Sequence, residues 1–392
     1  MEKSVMNEPV LLSIPYLKGN EKKYVMDCLD SEWISTAGSY VSDFEDAFAS
    51  YTGTHGAVAC VNGTAALHIS LILAGVKPGE EVIVPALTFI SPVNTVKYVF
   101  ADPVFMDCDD YLNIDIAKLA DFLENECDFV DGKVINKVSG KRIRAIIPVH
   151  IFGSMCDMDA LMELASKYNL AVIEDATEAL GSKMSAGKFA GMHAGTIGDF
   201  GTASFNGNKI MTCGGGGMIT AKDPAQLQKA KYLTTQAKNN ELHYVHDEIG
   251  YNYRLPAMSA ALGLAQLEQI TTFVERKKRR YFEYKNAIAD IPGLSLLGTP
   301  DYCDSNYWFY SLLIDEEKYG MNRDQLMAKF GEAKIQTRPI WKLNNQQKPY
   351  LKNQAYKIEK AQYYFDRILN IPCSVGLTDE EFERVREAIV NC

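Results

Sequence analysis

The chain has 392 residues, of which 47% are apolar and 23% charged, with a net charge of −10. That length points to two domains rather than one small core, and the composition is that of a soluble globular enzyme. The negative balance argues against nucleic acid or an anionic membrane as partners, so an anionic substrate needs a local basic pocket set against the field. The start, Met1 to Glu8, is polar and lacks the apolar core of a signal peptide. No apolar run nears the roughly 20 residues that span a bilayer. Nine cysteines are scattered without a CxxC pair, which fits reduced thiols in a cytoplasmic protein and neither disulfides nor a metal site.

Residues 21–51 carry apolar side chains at helical spacing: Tyr24, Val25 and Leu29, then Val41, Phe44 and Phe48. The interruption at 33–39 puts Trp33 in a loop, as a staple on the core or as a pocket rim. Ala57-Val58-Ala59-Cys60-Val61 reads as a buried strand that Asn62-Gly63-Thr64-Ala65 turns into a helix. Gly-Thr at a helix start offers free N–H groups, a hydroxyl and the positive dipole end, which suit a phosphate. The same residues also make a plain cap. Val82-Ile83-Val84-Pro85 is the next strand, and Phe89 sits just past its end, where α/β sheets place ligand-facing groups; core packing is the plainer role. A third strand covers 104–107. Segment 127–143, with turn glycines and alternating apolar residues, reads as a polar hairpin projecting from the sheet.

A strand at 145–150 ends on His150, read as structural. After a helix at 158–168, Ala171-Val172-Ile173-Glu174-Asp175 is an apolar strand with two carboxylates at its C-terminal edge, where doubly wound sheets bind ligands. A carboxylate there caps the next turn or holds a protonated ring nitrogen. The alternation of strand and helix predicts a mostly parallel sheet with helices on both faces. Lys209 then stands between a small polar run from Gly201 and four glycines, Gly214 to Gly217. Such glycines suit close backbone approach, and a lysine held in a tight, partly desolvated site is a usable amine nucleophile. A flexible hairpin with a surface lysine is the alternative. A helix at 223–237 and one long helix at 259–289 follow; the basic run 276–280 reads as a solvated face. From Pro292 the pattern becomes α+β. The expected division is an N-terminal segment 1–20, a large α/β domain 21–262, and a linking helix with a smaller domain over 263–392.

Four of these features suit one ligand. Pyridoxal 5′-phosphate has a phosphate for Gly63 and Thr64, a ring for Phe89, a ring nitrogen for Asp175 and an aldehyde that Lys209 can take as an imine. Ser204 adds a hydroxyl for the phosphate. At this point the chain resembles the DegT/DnrJ/EryC1/StrS family of sugar aminotransferases, from Ile14-Pro15 to Leu377-Thr378. The resemblance rests on Asn62-Gly63-Thr64-Ala65-Ala66-Leu67, Pro85-Ala86-Leu87-Thr88-Phe89, Glu174-Asp175-Ala176, Gly198-Asp199-Phe200, Ser204-Phe205 with Lys209, and Gly250-Tyr251-Asn252-Tyr253-Arg254. Within the family, Phe205-Asn206-Gly207-Asn208-Lys209, the hairpin insertion and Thr337-Arg338-Pro339 resemble the LegC-type branch, which acts on UDP-linked 4-keto-6-deoxy-N-acetylhexosamines.

The resemblance implies fold type I, the aspartate-aminotransferase fold, with a large seven-stranded sheet and a smaller domain. It implies a homodimer with the site at the subunit interface, L-glutamate as donor and 2-oxoglutarate as its product. Lys209 and Asp175 are the implied catalytic residues. Gly63, Thr64, Ala65, Phe89, Glu178 and Ser204 are implied around the cofactor, with Asn252 reaching the phosphate of the neighbouring subunit. Trp33, Arg254, Arg338 and Glu178 are the expected substrate contacts. Glu178 departs from the family pattern, because many relatives have His or Gln there against the cofactor's ring oxygen. A carboxylate beside a phenolate repels it unless one is protonated, so Glu178 is expected either protonated or turned to substrate.

Overall fold

The computed structural model describes residues 8–240 and 242–390. Helices α1 (Glu21–Asp30) and α2 (Ser39–Thr52) come first and bury only one face each, through Cys28 and through Phe44 and Phe48. Strand and helix then alternate: β1 (Val58–Cys60), α3 (Gly63–Leu73), β2 (Glu81–Pro85), α4 (Ile90–Tyr98), β3 (Asp102–Met106), α5 (Ile116–Asn125), β4 (Cys127–Val130), β5 (Lys133–Asn136), β6 (Arg142–Ile146), α6 (Met158–Tyr168) and β7 (Ala171–Asp175). Next come the short β8 (Lys183–Met184), β9 (Phe200–Ser204), β10 (Gly217–Ala221) and α7 (Pro224–Thr234).

The main sheet runs β1-β10-β9-β7-β6-β2-β3. β9, β7, β6, β2 and β3 are parallel, and β10 is antiparallel to both its neighbours. Its strands are covered on both sides, which is why they read as unbroken apolar runs. Alternate residues go to opposite faces: Val82 and Val84 join one core with Leu67 and Ile69, whereas Ile83 joins another with Val104, Phe122 and Leu161.

A ribbon of β11 (Lys238–Asn240) and β12 (Val245–His246) leads to α8 (Ala257–Leu267) and α9 (Ile270–Ala287). Beyond lie β13 (Leu294–Leu296), β14 (Cys303–Asp304), β15 (Tyr310–Ile314), β16 (Arg338–Pro339), β17 (Ala355–Tyr356) and β18 (Ile368–Ile371). Strands β13, β15, β18 and β16, in that order, form a separate antiparallel sheet. Its core includes Tyr284, Leu312, Phe330 and Ile371, and also Val10, which bridges to Ile335 from the other end of the chain.

Three expectations need correction. The single long helix is two, broken at Glu268-Gln269, where no Gly or Pro signals a stop. There the Gln266 and Gln269 amides turn to the buried Glu21 carboxylate at 2.6 and 3.0 Å, and Asn20 and Tyr24 hold Glu268. The hairpin β4–β5 does not stand off the sheet: β5 pairs with the N-terminal end of β6, through Ile143 and Arg142. The hairpin and β17, which runs parallel to β3, extend the seven-stranded sheet to ten strands. The basic run is only partly solvated. Lys277 and Arg280 fall on the inner face of α9 and are buried. The Lys277 ammonium ends on the carbonyl oxygens of Trp308 (2.6 Å) and Cys373, and Arg280 on Leu377 O and Asp379. The eight cysteines among the described residues are free and buried. Among those residues no helix is long and apolar enough to cross a membrane.

Candidate active site

The C-terminal edge of the main sheet gathers the residues that the sequence singles out. At the start of α3 the capping residue is Asn62, not Thr64: the Asn62 Oδ1 accepts the Ala65 N–H at 2.8 Å, and its carbonyl accepts from Ala66. This consumes the Ala65 amide and leaves the Gly63 and Thr64 N–H groups without an intrahelical acceptor. Ala65 is therefore buried in the helix start and does not line the pocket. The Thr64 hydroxyl pairs with that of Ser91. Gly63 is there because nothing larger fits: a Cβ would lie 2.7 Å from Ser204 Cβ and 3.2 Å from Thr177 Cγ2. Gly217 is pressed the same way on the backbone of Asn62 and Gly63. The glycine run thus serves a close approach within this chain, which brings the end of β9 against the positive end of α3.

The two carboxylates ending β7 alternate to opposite sides. Glu174 accepts from His150 Nε2 (2.9 Å) and from the N–H groups of Gly195, Ile197 and Gly198, so it is structural. His150 Nδ1 accepts the Cys156 N–H, which leaves the ring proton on Nε2; His150 is structural too. Asp175, 2% exposed, lines the pocket and accepts the Thr177 N–H on Oδ1 at 3.1 Å. Burial pushes its carboxyl above the usual range, against the hydrogen bonds from Thr177 and the charge of Lys209.

Lys209 Nζ lies 3.4 Å from Glu178 Oε1 and 4.1 Å from the centre of the Trp308 ring. The other oxygen of Glu178 accepts the Phe152 N–H at 3.0 Å. Glu178 is 3% exposed, and burial raises its proton affinity while Lys209 lowers it. Glu178 is thus the acidic partner of the lysine amine.

These groups surround a pocket of about 470 Å³. Gly63, Thr64, Phe89, Asp175, Glu178, Ser204 and Lys209 all line it, together with Asn206, Asn208, Trp308, Phe309 and Trp341. Phe89 is 52% exposed, so it is not a core residue. Trp33, Asn252, Arg254 and Arg338 do not line the pocket of their own chain. Trp33 is exposed in its loop, and the Arg338 guanidinium bonds the carbonyl of Thr337. Arg254 bonds the side-chain oxygens of Asn252 and Gln236. A larger groove of about 1660 Å³ runs along α6 and collects none of these residues. The sequence reading missed Trp308, Phe309 and Trp341, which no glycine, cap or charge pattern marks.

The model of the DegT/DnrJ/EryC1/StrS aminotransferase family matches residues 15–390. The chain belongs to that family. This aminotransferase is 36% identical over 387 residues to the GDP-perosamine synthase of Caulobacter vibrioides, covering 97% of each chain. It is 36% identical over 375 residues to the GDP-perosamine synthase of Escherichia coli O157:H7, covering 96% of each. Its fold superposes with a TM-score of 0.86 on the structure of DesI with its TDP-sugar product, at 25% identity over 100% of this chain and 94% of that one. The fold is that of the type I, pyridoxal-phosphate-dependent sugar aminotransferases. Pyridoxal phosphate is the coenzyme of this family, and the pocket of the aminotransferase fits it. Among the described residues, two unclaimed amides at a helix start suit its phosphate, a buried carboxyl suits its ring nitrogen, and the one lysine of the lining suits its aldehyde.

Proposed function

We propose that the protein moves an amino group from L-glutamate to the C4 ketone of a nucleotide-linked 4-keto-6-deoxyhexose, and that it works as a homodimer. The observation that carries the reading is the single pocket into which Lys209, Asp175, Ser204 and the start of α3 all open. When bound, pyridoxal phosphate supplies an aldehyde that carries the amino group and a ring that accepts electrons from the adjacent carbon. Gly63, Thr64 and the Ser204 hydroxyl bind its phosphate at the helix dipole. Asp175 holds a proton at the ring nitrogen. Lys209 is the residue that would hold the coenzyme's aldehyde, and its amine is placed to take a proton from the glutamate α-carbon and to deliver one to the sugar C4. Glu178 orients that amine, and Phe89 would stack on the coenzyme ring. The two substrates act in turn, so the kinetics are ping-pong.

The homodimer is supported by a shortage of charge. The lining holds one cation, Lys209, against the carboxyls of Asp175 and Glu178, whereas the ligands bring a phosphate, a diphosphate and the carboxylates of glutamate. Arg254 has no carboxylate partner among the described residues, and a neighbouring subunit that lends Asn252 and Arg254 makes up the deficit. Arg338, exposed and equally without a carboxylate, suits bidentate contact with the diphosphate.

The finer reading is a UDP-linked 4-keto-6-deoxy-N-acetylhexosamine. It is supported by the resemblance of segment 205–209, of which Asn206, Asn208 and Lys209 line the pocket. A GDP-linked sugar of the perosamine type is the second reading, favoured by the names of the two relatives at 36% identity. Holoenzyme incubated with glutamate and a panel of UDP-, GDP- and TDP-linked 4-keto-6-deoxyhexoses tests both. Formation of a 4-amino sugar from one nucleotide series is expected. Conversion of glutamate with no sugar aminated would overturn the proposal.

A further inference from the structure

Beside its amides, hydroxyls and carboxyls, the pocket is lined by four aromatic rings: Phe89, Trp308, Phe309 and Trp341. The rings form a continuous set. Phe89 meets Trp341 edge-on at 6.4 Å, Trp341 lies 4.9 Å from Phe152, and Phe152 lies 5.3 Å from Phe309, which stacks on Trp308 at 4.0 Å. Phe152 is buried behind the others and holds the set together. Its N–H is also the one that fixes Glu178, so the wall and the lysine pair share an anchor. Trp308 is tied by its indole N–H to Asn208 O at 2.8 Å. Trp341 differs: it is half-buried, and its indole N–H has no acceptor among the described residues.

The ligands divide between the polar groups and the rings by chemistry. Glutamate is charged at both ends and offers an aromatic wall nothing. A phosphate seeks the polar groups. The coenzyme ring goes to Phe89, which leaves the nucleobase, separated in the test below, and the hexose, whose ring has a C–H face and, in a 6-deoxy sugar, a methyl group where a hydroxymethyl would otherwise need a hydrogen-bond partner. Aromatic faces suit such surfaces, because they bury apolar area at little cost in side-chain freedom.

We propose that Trp341, with Phe309, forms the wall that takes the C–H face and the C6 methyl edge of the sugar, and that Trp341 is the principal selector of 6-deoxy over 6-hydroxy keto sugars. The inference rests on the keto-sugar reading given above. An apolar wall discriminates modestly: the preference for the 6-deoxy sugar in kcat/KM is about tenfold to a hundredfold, the range open to a hydrophobic pocket that meets one extra hydroxyl.

The test uses full-length holoenzyme, as wild type, Trp341→Ala and Trp341→Phe. Three quantities are measured for each: the half-reaction with glutamate, the half-reaction with the 6-deoxy keto sugar and its 6-hydroxy analogue, and calorimetric affinity for the amino-sugar nucleotide and for the bare nucleotide. Trp341→Ala is expected to weaken the sugar half-reaction and amino-sugar affinity at least tenfold and to erase the 6-deoxy preference, with far smaller effects on glutamate and on the bare nucleotide. Trp341→Phe restores most of the loss. If the bare nucleotide weakens as much as the amino-sugar nucleotide, the wall holds the base and the proposal is overturned. It is equally overturned if sugar is aminated and Trp341→Ala makes no difference. If wild type consumes glutamate but aminates no sugar, the keto-sugar reading itself falls, and the wall's assigned ligand falls with it.

Discussion

Gly63→Ala tests the phosphate cradle directly. The added Cβ would sit 2.7 Å from Ser204 Cβ, about 0.7 Å inside ordinary contact, and 3.2 Å from both Ser204 Oγ and Thr177 Cγ2. The closest of these atoms is next to the backbone, so rotation about a side-chain bond cannot clear it. The start of α3 or the end of β9 must move by several tenths of an ångström, and such overpacking costs about 1–3 kcal/mol. The same movement turns the Gly63 and Thr64 amides away from the place proposed for the phosphate. A hydrogen bond to a charged group is worth about 1.5–3 kcal/mol, so spoiling one weakens the coenzyme by roughly tenfold to a hundredfold. Apoprotein titrated with pyridoxal phosphate, followed by absorbance, gives the affinity; phosphate-free pyridoxal supplies the contrast, since it does not use the cradle. Gly207→Ala is the control, because nothing lies within 4 Å of a Cβ there. Equal affinity of Gly63→Ala and wild type for pyridoxal phosphate would refute the reasoning, as would an equal loss for pyridoxal.

Lys209→Ala should abolish both half-reactions and leave no pyridoxyl adduct at position 209 after borohydride; retained turnover would take the lysine out of its role. Asp175→Asn should lose activity by about a hundredfold or more, the scale of a positioned acid–base group, while far-UV circular dichroism stays unchanged. Near-normal rates would mean that the ring nitrogen keeps its proton by other means. His193 tests acid stability. Burial and the nearby Lys183 hold its imidazole down to about 4, whereas an unfolded histidine titrates near 6.5. The unfolded chain therefore binds the extra proton, and stability is lost as pH falls from about 6.5 through about 4, by at most about 3 kcal/mol before solvent screening. Urea unfolding of His193→Phe should show a shallower loss across that window than wild type, and parallel curves would contradict the assignment.

The parts of the site legible in the sequence are those made by local grammar. A strand that ends in a carboxylate, a Gly-Thr helix start and a lysine before a glycine run each carry their meaning within a few residues, so Asp175, Gly63, Thr64 and Lys209 were readable. Interactions between distant segments were not. Asn62 and Thr64 are both good caps, and only the fold shows which one starts the helix, Asn62 taking the Ala65 amide. Lys277 and Arg280 looked like a charged surface, because the carbonyl oxygens that receive them come from residues 308, 373 and 377. The break at Glu268-Gln269 follows from contacts with α1, nearly 250 residues earlier in the chain. Trp308, Phe309 and Trp341 reach the pocket from the C-terminal part of the chain, where nothing in their own neighbourhood hints at a ligand.

Trp308 has a mechanical consequence. It leads into a strand of the C-terminal sheet, yet its ring is the floor beneath the Lys209 amine, its carbonyl receives Lys277 and its indole N–H holds the turn before Lys209. The two halves of the molecule are therefore coupled at the Lys209 amine. Any shear of the smaller sheet is felt there first, so warming should silence turnover before the larger sheet loses its order.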